Sequence, residues 1–113
     1  MKKEKLTFIS KEKVFEMLEN EEDFKLVEVL SEEDYKSGHL PKAINLPADQ
    51  IESKAAEVLP DKEQKIVVYC SGFLCTASSG SARMLQQMGY KNVLDFKGGK
   101  EDWEKAGLPL ISE

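Results

Sequence analysis

The stretch that decides the fold is an apolar run that ends in a cysteine and two small residues: Ile66-Val67-Val68-Tyr69-Cys70-Ser71-Gly72. A continuous run of branched and apolar residues predicts a central strand of a parallel sheet, because helices cover both faces of such a strand. The strand covers residues 66–70, and Ser71 and Gly72 end it. A helical pattern then begins at Thr76 or Ala77 and stops at Gly89.

The rest of the chain repeats this alternation of strand and helix. Further strands are predicted over residues 6–9, 24–30, 43–46 and 92–96. Further helices are predicted after the caps Ser10 and Ser31, over residues 51–59 and around Trp103, with Gly38 as a left-handed end signal. The order indicates an α/β fold, in which a central parallel sheet of about five strands carries helices on both faces.

Length and composition fit one globular domain over residues 1–113. The 16 Lys and Arg against 21 Asp and Glu leave a net charge of −5, which argues against a nucleic-acid partner because phosphates require basic contacts. No apolar run approaches the ~20 residues needed to cross a bilayer, so no membrane partner is expected. Residues 1–9 lack the long apolar stretch of a secretory signal, so we expect a cytoplasmic protein with reduced thiols.

Cys70 is the candidate nucleophile because of its place in this order. In parallel sheets, functional sites lie beyond the carboxyl ends of the strands. If the following loop curls around Cys70, its N–H groups form an anion-binding nest, and the next helix adds partial positive charge. Both effects favour the thiolate over the thiol. A strand-end cysteine alone is more often a small buried hydrophobe, so the hypothesis depends on the loop.

Several stretches resemble the rhodanese-like family, in the same order along the chain. Residues 24–30 are similar to its early strand, and residues 67–70 to its active-site strand and cysteine. Residues 33–47 (EDYKSGHLPKAINLP) are similar to its pattern E-x-Y-x-x-G-H-I-P-G-A-x-N-x-P. The closing pattern is matched by Ala82, Leu85, Gly89, Tyr90, Val93, Gly98, Gly99 and Trp103. The resemblance covers nearly the whole chain.

The resemblance implies sulfane-sulfur transfer, without a cofactor, by covalent catalysis in two half-reactions. Cys70 would take a sulfur atom from a persulfide, polysulfide or thiosulfate-type donor and become a persulfide. A thiol acceptor would then remove the outer sulfur from this persulfide. The donor would be a small molecule or a persulfidated protein, and the enzyme a monomer or weak dimer. The cradle around the persulfide would be the backbone of Ser71, Gly72, Phe73, Leu74, Cys75 and Thr76.

The chain also departs from the family pattern. Glu28 and Leu30 stand where D-x-R is common, so the arginine is missing, and ion-pair support under the loop and the activity itself are in question. No loop side chain is cationic, which predicts weak thiosulfate activity. Phe73 and Leu74 are interpreted either as apolar rim contacts or as core. Thr76 stands where phosphatases with related loops have an arginine, which argues against phosphate hydrolysis.

Cys75 leaves three roles open: packing, resolving a Cys70 persulfide or sulfenic acid, or serving as the main nucleophile. A disulfide between the two cysteines requires their Cα atoms to come within about 7 Å. Three hypotheses therefore remain: a sulfurtransferase, a Cys70/Cys75 thiol redox protein or sensor, and a non-catalytic binding module. His39 is expected to be structural, and no metal site is expected, because a structural zinc site takes four ligands.

Overall fold

One parallel sheet organises the protein, whose computed structural model describes residues 5–112. The strands are β1 (Thr7–Phe8), β2 (Phe24–Glu28), β3 (Ile44–Asn45), β4 (Lys65–Tyr69) and β5 (Val93–Phe96). Their order across the sheet is β1-β5-β4-β2-β3, and every neighbouring pair is parallel. The apolar run before Cys70 therefore forms the central strand, as the sequence predicts.

Helices cover both faces of this sheet, which confirms the predicted α/β fold. They are α1 (Lys11–Glu19), α2 (Glu32–Ser37), α3 (Ile51–Val58), α4 (Ala77–Gln87) and α5 (Gly99–Lys105), with a short 3₁₀ turn at Ala48–Gln50. Side chains of α1 and α5 pack in one hydrophobic cluster, and those of α3 and α4 in the other. No helix within residues 5–112 has the length and hydropathy to cross a membrane.

The alternation of side chains along β4 decides which layer receives the cysteine. Val67 and Tyr69 face the cluster that contains Trp103 of α5. Val68 and Cys70 face the opposite cluster, beneath α3 and α4. Because side chains of a strand alternate between faces, the Cys70 sulfur lies on the same side of the sheet as the helix that follows it.

The predicted boundaries are slightly wrong at several strands. β4 begins at Lys65 and ends at Tyr69, so Cys70 lies just beyond the sheet. The reason is that the Cys70 carbonyl accepts a hydrogen bond from the Lys100 amide (3.1 Å), and the Ser71 carbonyl one from Glu101 (2.9 Å). The first turn of α5 therefore occupies the place where another strand would have continued the ladder.

The helix start signals are confirmed, but one end signal is wrong. Ser10 and Ser31 cap α1 and α2 through their hydroxyl oxygens, which accept bonds from the amides of Lys13 (3.1 Å) and Asp34 (3.2 Å). Gly38 is extended, with φ of 162°, and not left-handed. The chain straightens there because the next residue, His39, pairs with Ile111 through two backbone hydrogen bonds of 2.8 Å.

The residues outside the described range bear on one expectation. Residues 1–4 and 113 are not described. The expected absence of a secretory signal rests on residues 1–9, so it lies partly outside the described residues.

Gly99 is required where α5 meets the active-site loop, which gives a stability prediction. Its φ is +59°, and an added Cβ would lie 2.3 Å from the Cys70 carbonyl oxygen. Gly99→Ala is therefore expected to lower the free energy of unfolding, with about 1–3 kcal/mol from backbone strain alone. Urea unfolding followed by circular dichroism measures the change.

Gly80 provides the matched control, because it lies within α4 and an added Cβ there meets no atom within 4 Å. Gly80→Ala should stabilise the protein by about 0.5–1 kcal/mol, since alanine loses less backbone entropy than glycine in a helix. Equal stability of the two variants would contradict the contact assigned to Gly99.

Candidate active site

Cys70 lies at the carboxyl end of β4, beneath the first turn of α4. Its side chain is fully buried and belongs to the hydrophobic cluster on that face. Two polar groups also face its sulfur, the backbone N–H and the hydroxyl of Ser78. The Ser78 hydroxyl makes no conventional hydrogen bond with any residue of the range 5–112. The polar group beside this hydroxyl is therefore the Cys70 thiol, which is a weak hydrogen-bond acceptor. An anionic sulfur at the same position would be a stronger acceptor.

The loop after Cys70 folds into a tight turn. The Cys75 amide donates a hydrogen bond of 3.0 Å to the Gly72 carbonyl, and the Cys75 carbonyl accepts one from the Lys97 ammonium. The turn carries Phe73 and Leu74 outward, with 59% and 97% of their surfaces exposed. These two side chains therefore form an apolar rim, and the alternative that they belong to the core is wrong.

Cys75 is folded back onto Cys70. The Cys70 thiol donates a hydrogen bond to the Cys75 carbonyl oxygen, with a sulfur–oxygen distance of 3.6 Å, so the two cysteines lie next to each other. Cys75 is only half-buried, and the Ser71 and Ala77 amides lie near its sulfur. The second cysteine therefore covers the first, and both are free thiols.

The distribution of hydrogen bonds sets opposite acidities for the two thiols. Burial raises the pKa of the Cys70 thiol, and the adjoining Cys75 raises it further, although the Ser78 hydroxyl and amide oppose this. Burial also acts against ionisation of Cys75, but the bonds from Cys70, Ala77 and Ser71 bring its pKa below the ordinary value. The sequence predicts a loop that favours the Cys70 thiolate, whereas in this structure burial of the sulfur raises the pKa of the Cys70 thiol.

A buried ion pair lies beneath the loop, although the family's arginine is missing. The Lys100 ammonium is 3.0 Å from one carboxylate oxygen of Glu28, whose side chain is fully buried. The Tyr69 hydroxyl donates a 2.8 Å bond to the other oxygen and accepts one from the Leu40 amide (3.1 Å). Burial raises the pKa of the Glu28 carboxyl, and Lys100 and Tyr69 act in the opposite direction. The cation comes from α5 instead of position 30, where Leu30 packs against the core.

Sequence reasoning missed three residues of this site. Ser78 follows the loop that was assigned to the cradle, and Lys97 and Lys100 follow β5. The carboxyl ends of parallel strands meet at one edge of the sheet, so Lys97, next to the end of β5, could have been anticipated near Cys70. No sequence pattern indicated that Lys100 belongs to the site, because its partner Glu28 is distant along the chain.

Of the remaining candidates, Thr76 directly follows Cys75, Arg83 lies within α4, and His39 follows α2. The His39 ring stacks on Tyr35, with centroids 3.9 Å apart, and its Nδ1 is 2.9 Å from the Leu40 carbonyl oxygen. This contact is consistent with the structural role expected for it. Thr76 and Arg83 are exposed. Over the described residues 5–112, no three His, Cys, Asp or Glu side chains are grouped as metal ligands would be.

Comparison with known proteins identifies the fold and the family. The profile described as Rhodanese-like domain matches residues 10–106. This chain belongs to the rhodanese-like domain family. A structure of the BH2092 protein from Bacillus halodurans superposes on it with a TM-score of 0.87 at 27% identity, covering 94% of this chain and 77% of that one.

Two relatives show how the rhodanese-like domain occurs in other proteins. A sulfurtransferase of Allochromatium vinosum is 31% identical over 105 residues, covering 92% of this chain and 94% of the relative. The HTH-type transcriptional regulator Rv0324 of Mycobacterium tuberculosis is 35% identical over 85 residues. That match covers 75% of this chain but only 36% of the regulator.

The ion pair under the loop gives a stability prediction with a defined pH dependence. Lys100→Met leaves the Glu28 carboxylate buried without its cation and should cost about 3–5 kcal/mol near neutral pH. The folded-state pKa of Glu28 is raised, so the folded state takes up the proton first as the pH falls. The loss should therefore shrink at acidic pH. Urea unfolding across pH 5 to 8 tests this.

Two further variants separate this effect from a general effect of losing a lysine. Adding Glu28→Gln to Lys100→Met should recover part of the stability, because the neutral amide does not need the cation. Lys36→Met breaks an exposed contact of 3.8 Å with Glu32 and should cost less than about 1 kcal/mol at every pH. A loss for Lys100→Met that does not change with pH would contradict the assignment.

Proposed function

We propose that this rhodanese-like domain is a sulfurtransferase that carries sulfane sulfur as a persulfide on Cys70. The observation that supports it most is the position of the Cys70 sulfur beside the amide and the buried hydroxyl of Ser78, a hydroxyl that has no hydrogen-bond partner among the described residues. Donors so placed stabilise an anionic sulfur better than a neutral thiol. The similarity to the A. vinosum sulfurtransferase supports the same reaction class.

The reaction begins with a proton transfer between the two thiols. The Cys70 thiol donates to the Cys75 carbonyl oxygen, so the two side chains lie side by side, and the pKa of the Cys75 thiol is lowered whereas that of Cys70 is raised. Cys75 is therefore the first of the two to ionise, and its thiolate can accept the Cys70 proton. The Cys70 thiolate attacks the sulfane sulfur of the donor, the sulfur–sulfur bond of the donor breaks, and the donor leaves as a thiolate. An acceptor thiolate then attacks the outer sulfur of the Cys70 persulfide and regenerates Cys70.

Access to the buried Cys70 requires the turn over residues 72–75 to move. The turn carries two exposed side chains, so moving it removes little apolar surface from contact with the core. Beside it lies a groove of about 540 Å³, lined in part by Phe8, Phe73, Phe96 and Lys97. The groove shares Phe73 with the turn, and its aromatic side chains favour a persulfide on an organic or protein carrier over a small free dianion.

The first test is a sulfur-loading experiment with Cys70→Ser. Wild-type protein sampled immediately after mixing with inorganic polysulfide under argon should carry the mass of one added sulfur atom, and cyanide added at that point should remove it. Cys70→Ser should gain none, and its transfer to cyanide should fall to the uncatalysed rate, because serine forms no persulfide. Intact-mass spectrometry measures the loading, and thiocyanate formation measures the transfer.

Other outcomes of this experiment favour the competing hypotheses. A loss of two hydrogens under mild oxidant, without any gain of sulfur from the donor, would instead identify a thiol redox protein. No change in mass with either reagent would favour the third hypothesis, a non-catalytic binding module. Arg83→Gln, an exposed change on α4, is the handling control and should load sulfur as the wild type does.

A second test concerns the donor. The rim residue Leu74 is 97% exposed, so replacing it does not disturb packing. Leu74→Lys should raise kcat/KM for thiosulfate by about two- to fivefold at low salt, the size expected of an exposed charge contact. Leu74→Gln, which adds polarity without charge, should leave thiosulfate turnover weak. An equal rise in both variants, or a rise that persists in high salt, would contradict the argument.

A further inference from the structure

The second thiol lies where it can react with the product of the first half-reaction. The Cys70 thiol donates a hydrogen bond of 3.6 Å to the carbonyl oxygen of Cys75, so Cys75 lies beside the Cys70 sulfur, which would be the inner sulfur of a Cys70 persulfide. The turn that carries Cys75 is closed by its own amide on the Gly72 carbonyl. The contact therefore exists before any donor arrives, and no rearrangement of the sheet or helices is needed to bring the sulfurs together.

The surroundings of Cys75 suit a nucleophile. Burial acts against ionisation of this half-buried thiol, but the adjoining Cys70 and the nearby Ala77 and Ser71 amides bring its pKa below the usual value. A thiolate is the form that attacks sulfur–sulfur bonds. Cys70 has the opposite setting, since it is fully buried and its thiol is the less acidic one. The thiol that ionises more readily, Cys75, thus lies beside the Cys70 sulfur that it would attack.

We propose that Cys75 resolves the Cys70 persulfide, so that the protein reduces sulfane sulfur to hydrosulfide when no acceptor thiol is at hand. The proposal rests on the proposed function, because it starts from the same Cys70 persulfide. It adds a second outcome, the release of sulfide, to the transfer of sulfur.

The step balances without an external oxidant. The Cys75 thiolate attacks the inner sulfur of the Cys70 persulfide and forms the Cys70–Cys75 disulfide. The bond between the inner and outer sulfurs breaks, and the outer sulfur leaves with the electron pair and its proton as HS⁻. The outer sulfur is reduced by two electrons, and the two cysteine sulfurs are oxidised to the disulfide. Two equivalents of a low-molecular-weight thiol return both cysteines to their reduced form and become a disulfide themselves.

The environment of the loop allows the disulfide to form. A disulfide needs the two Cα atoms within about 7 Å and a defined torsion about the sulfurs. The residues between the cysteines include Gly72 and the exposed Phe73 and Leu74, so the turn can adjust with little loss of packing. The hydrogen bonds that the structure gives to Cys75 are made by its backbone amide and carbonyl, to Gly72, Cys70 and Lys97, so the Cys75 side chain can rotate without breaking them.

The test is a single loading followed by removal of the donor. Reduced protein is treated under argon with glutathione persulfide, desalted rapidly, and sampled over time for intact mass and for released sulfide. Wild type is expected to lose the added sulfur, release one sulfide per chain and end two hydrogens lighter than the reduced protein. Cys75→Ser and Cys75→Ala lack the proposed base and should load more slowly, so they are incubated with the donor until their gain in mass is complete. Once loaded, they should keep the added sulfur and release no sulfide until an acceptor thiol is added.

The outcomes separate this proposal from the one it rests on. If Cys75→Ser holds sulfur and wild type holds it equally long without forming the disulfide, resolution by Cys75 is overturned, while sulfur transfer stands. Equal sulfide release from wild type and both Cys75 variants also overturns it. If neither wild type nor the Cys75 variants gain sulfur, the Cys70 persulfide itself is refuted. Ser53→Ala, an exposed change on α3, controls for handling and should behave as wild type.

Discussion

The site depends on the contact between the first turn of α5 and the carboxyl end of β4. Two amides of its first turn bind the carbonyls of Cys70 and Ser71, and the ammonium of Lys100 extends from the same turn to the buried Glu28. A buried carboxylate is tolerated only with such partners. The contact fixes where the chain leaves the sheet, and so it fixes where the cysteine and its loop begin.

With the start of the loop fixed, its turn gives the two sulfurs different surroundings. The Cys75 side chain is half-buried, and that of Cys70 is fully buried beside Ser78 of α4. A buried sulfur with few donors resists ionisation, whereas a half-exposed one with nearby donors ionises more readily. In the mechanism that we propose, Cys75 therefore ionises first and takes the proton of the buried Cys70.

The fold could be predicted because its signals are local. An apolar run before a cysteine and a break of small residues predicts a buried strand and the loop that follows it, and Ser10 and Ser31 are visible caps. The identity of the catalytic candidate also followed from local order. The acidity of Cys70 could not be predicted from local order, because it depends on how the folded chain surrounds each of the two sulfurs. The replacement of the missing arginine by Lys100 could not be predicted either, since it joins two segments that only the folded chain brings together.

The sheet is bounded at both sides by strands of two residues, β1 and β3. Long free edges let sheets of separate molecules join, and apolar β-branched segments such as that of β4 are the ones that stack into fibrils. In this sheet, two strands lie on each side of β4. The brief outer strands expose few unpaired backbone groups, so the architecture that buries the reactive sulfur also protects its most aggregation-prone segment from other copies.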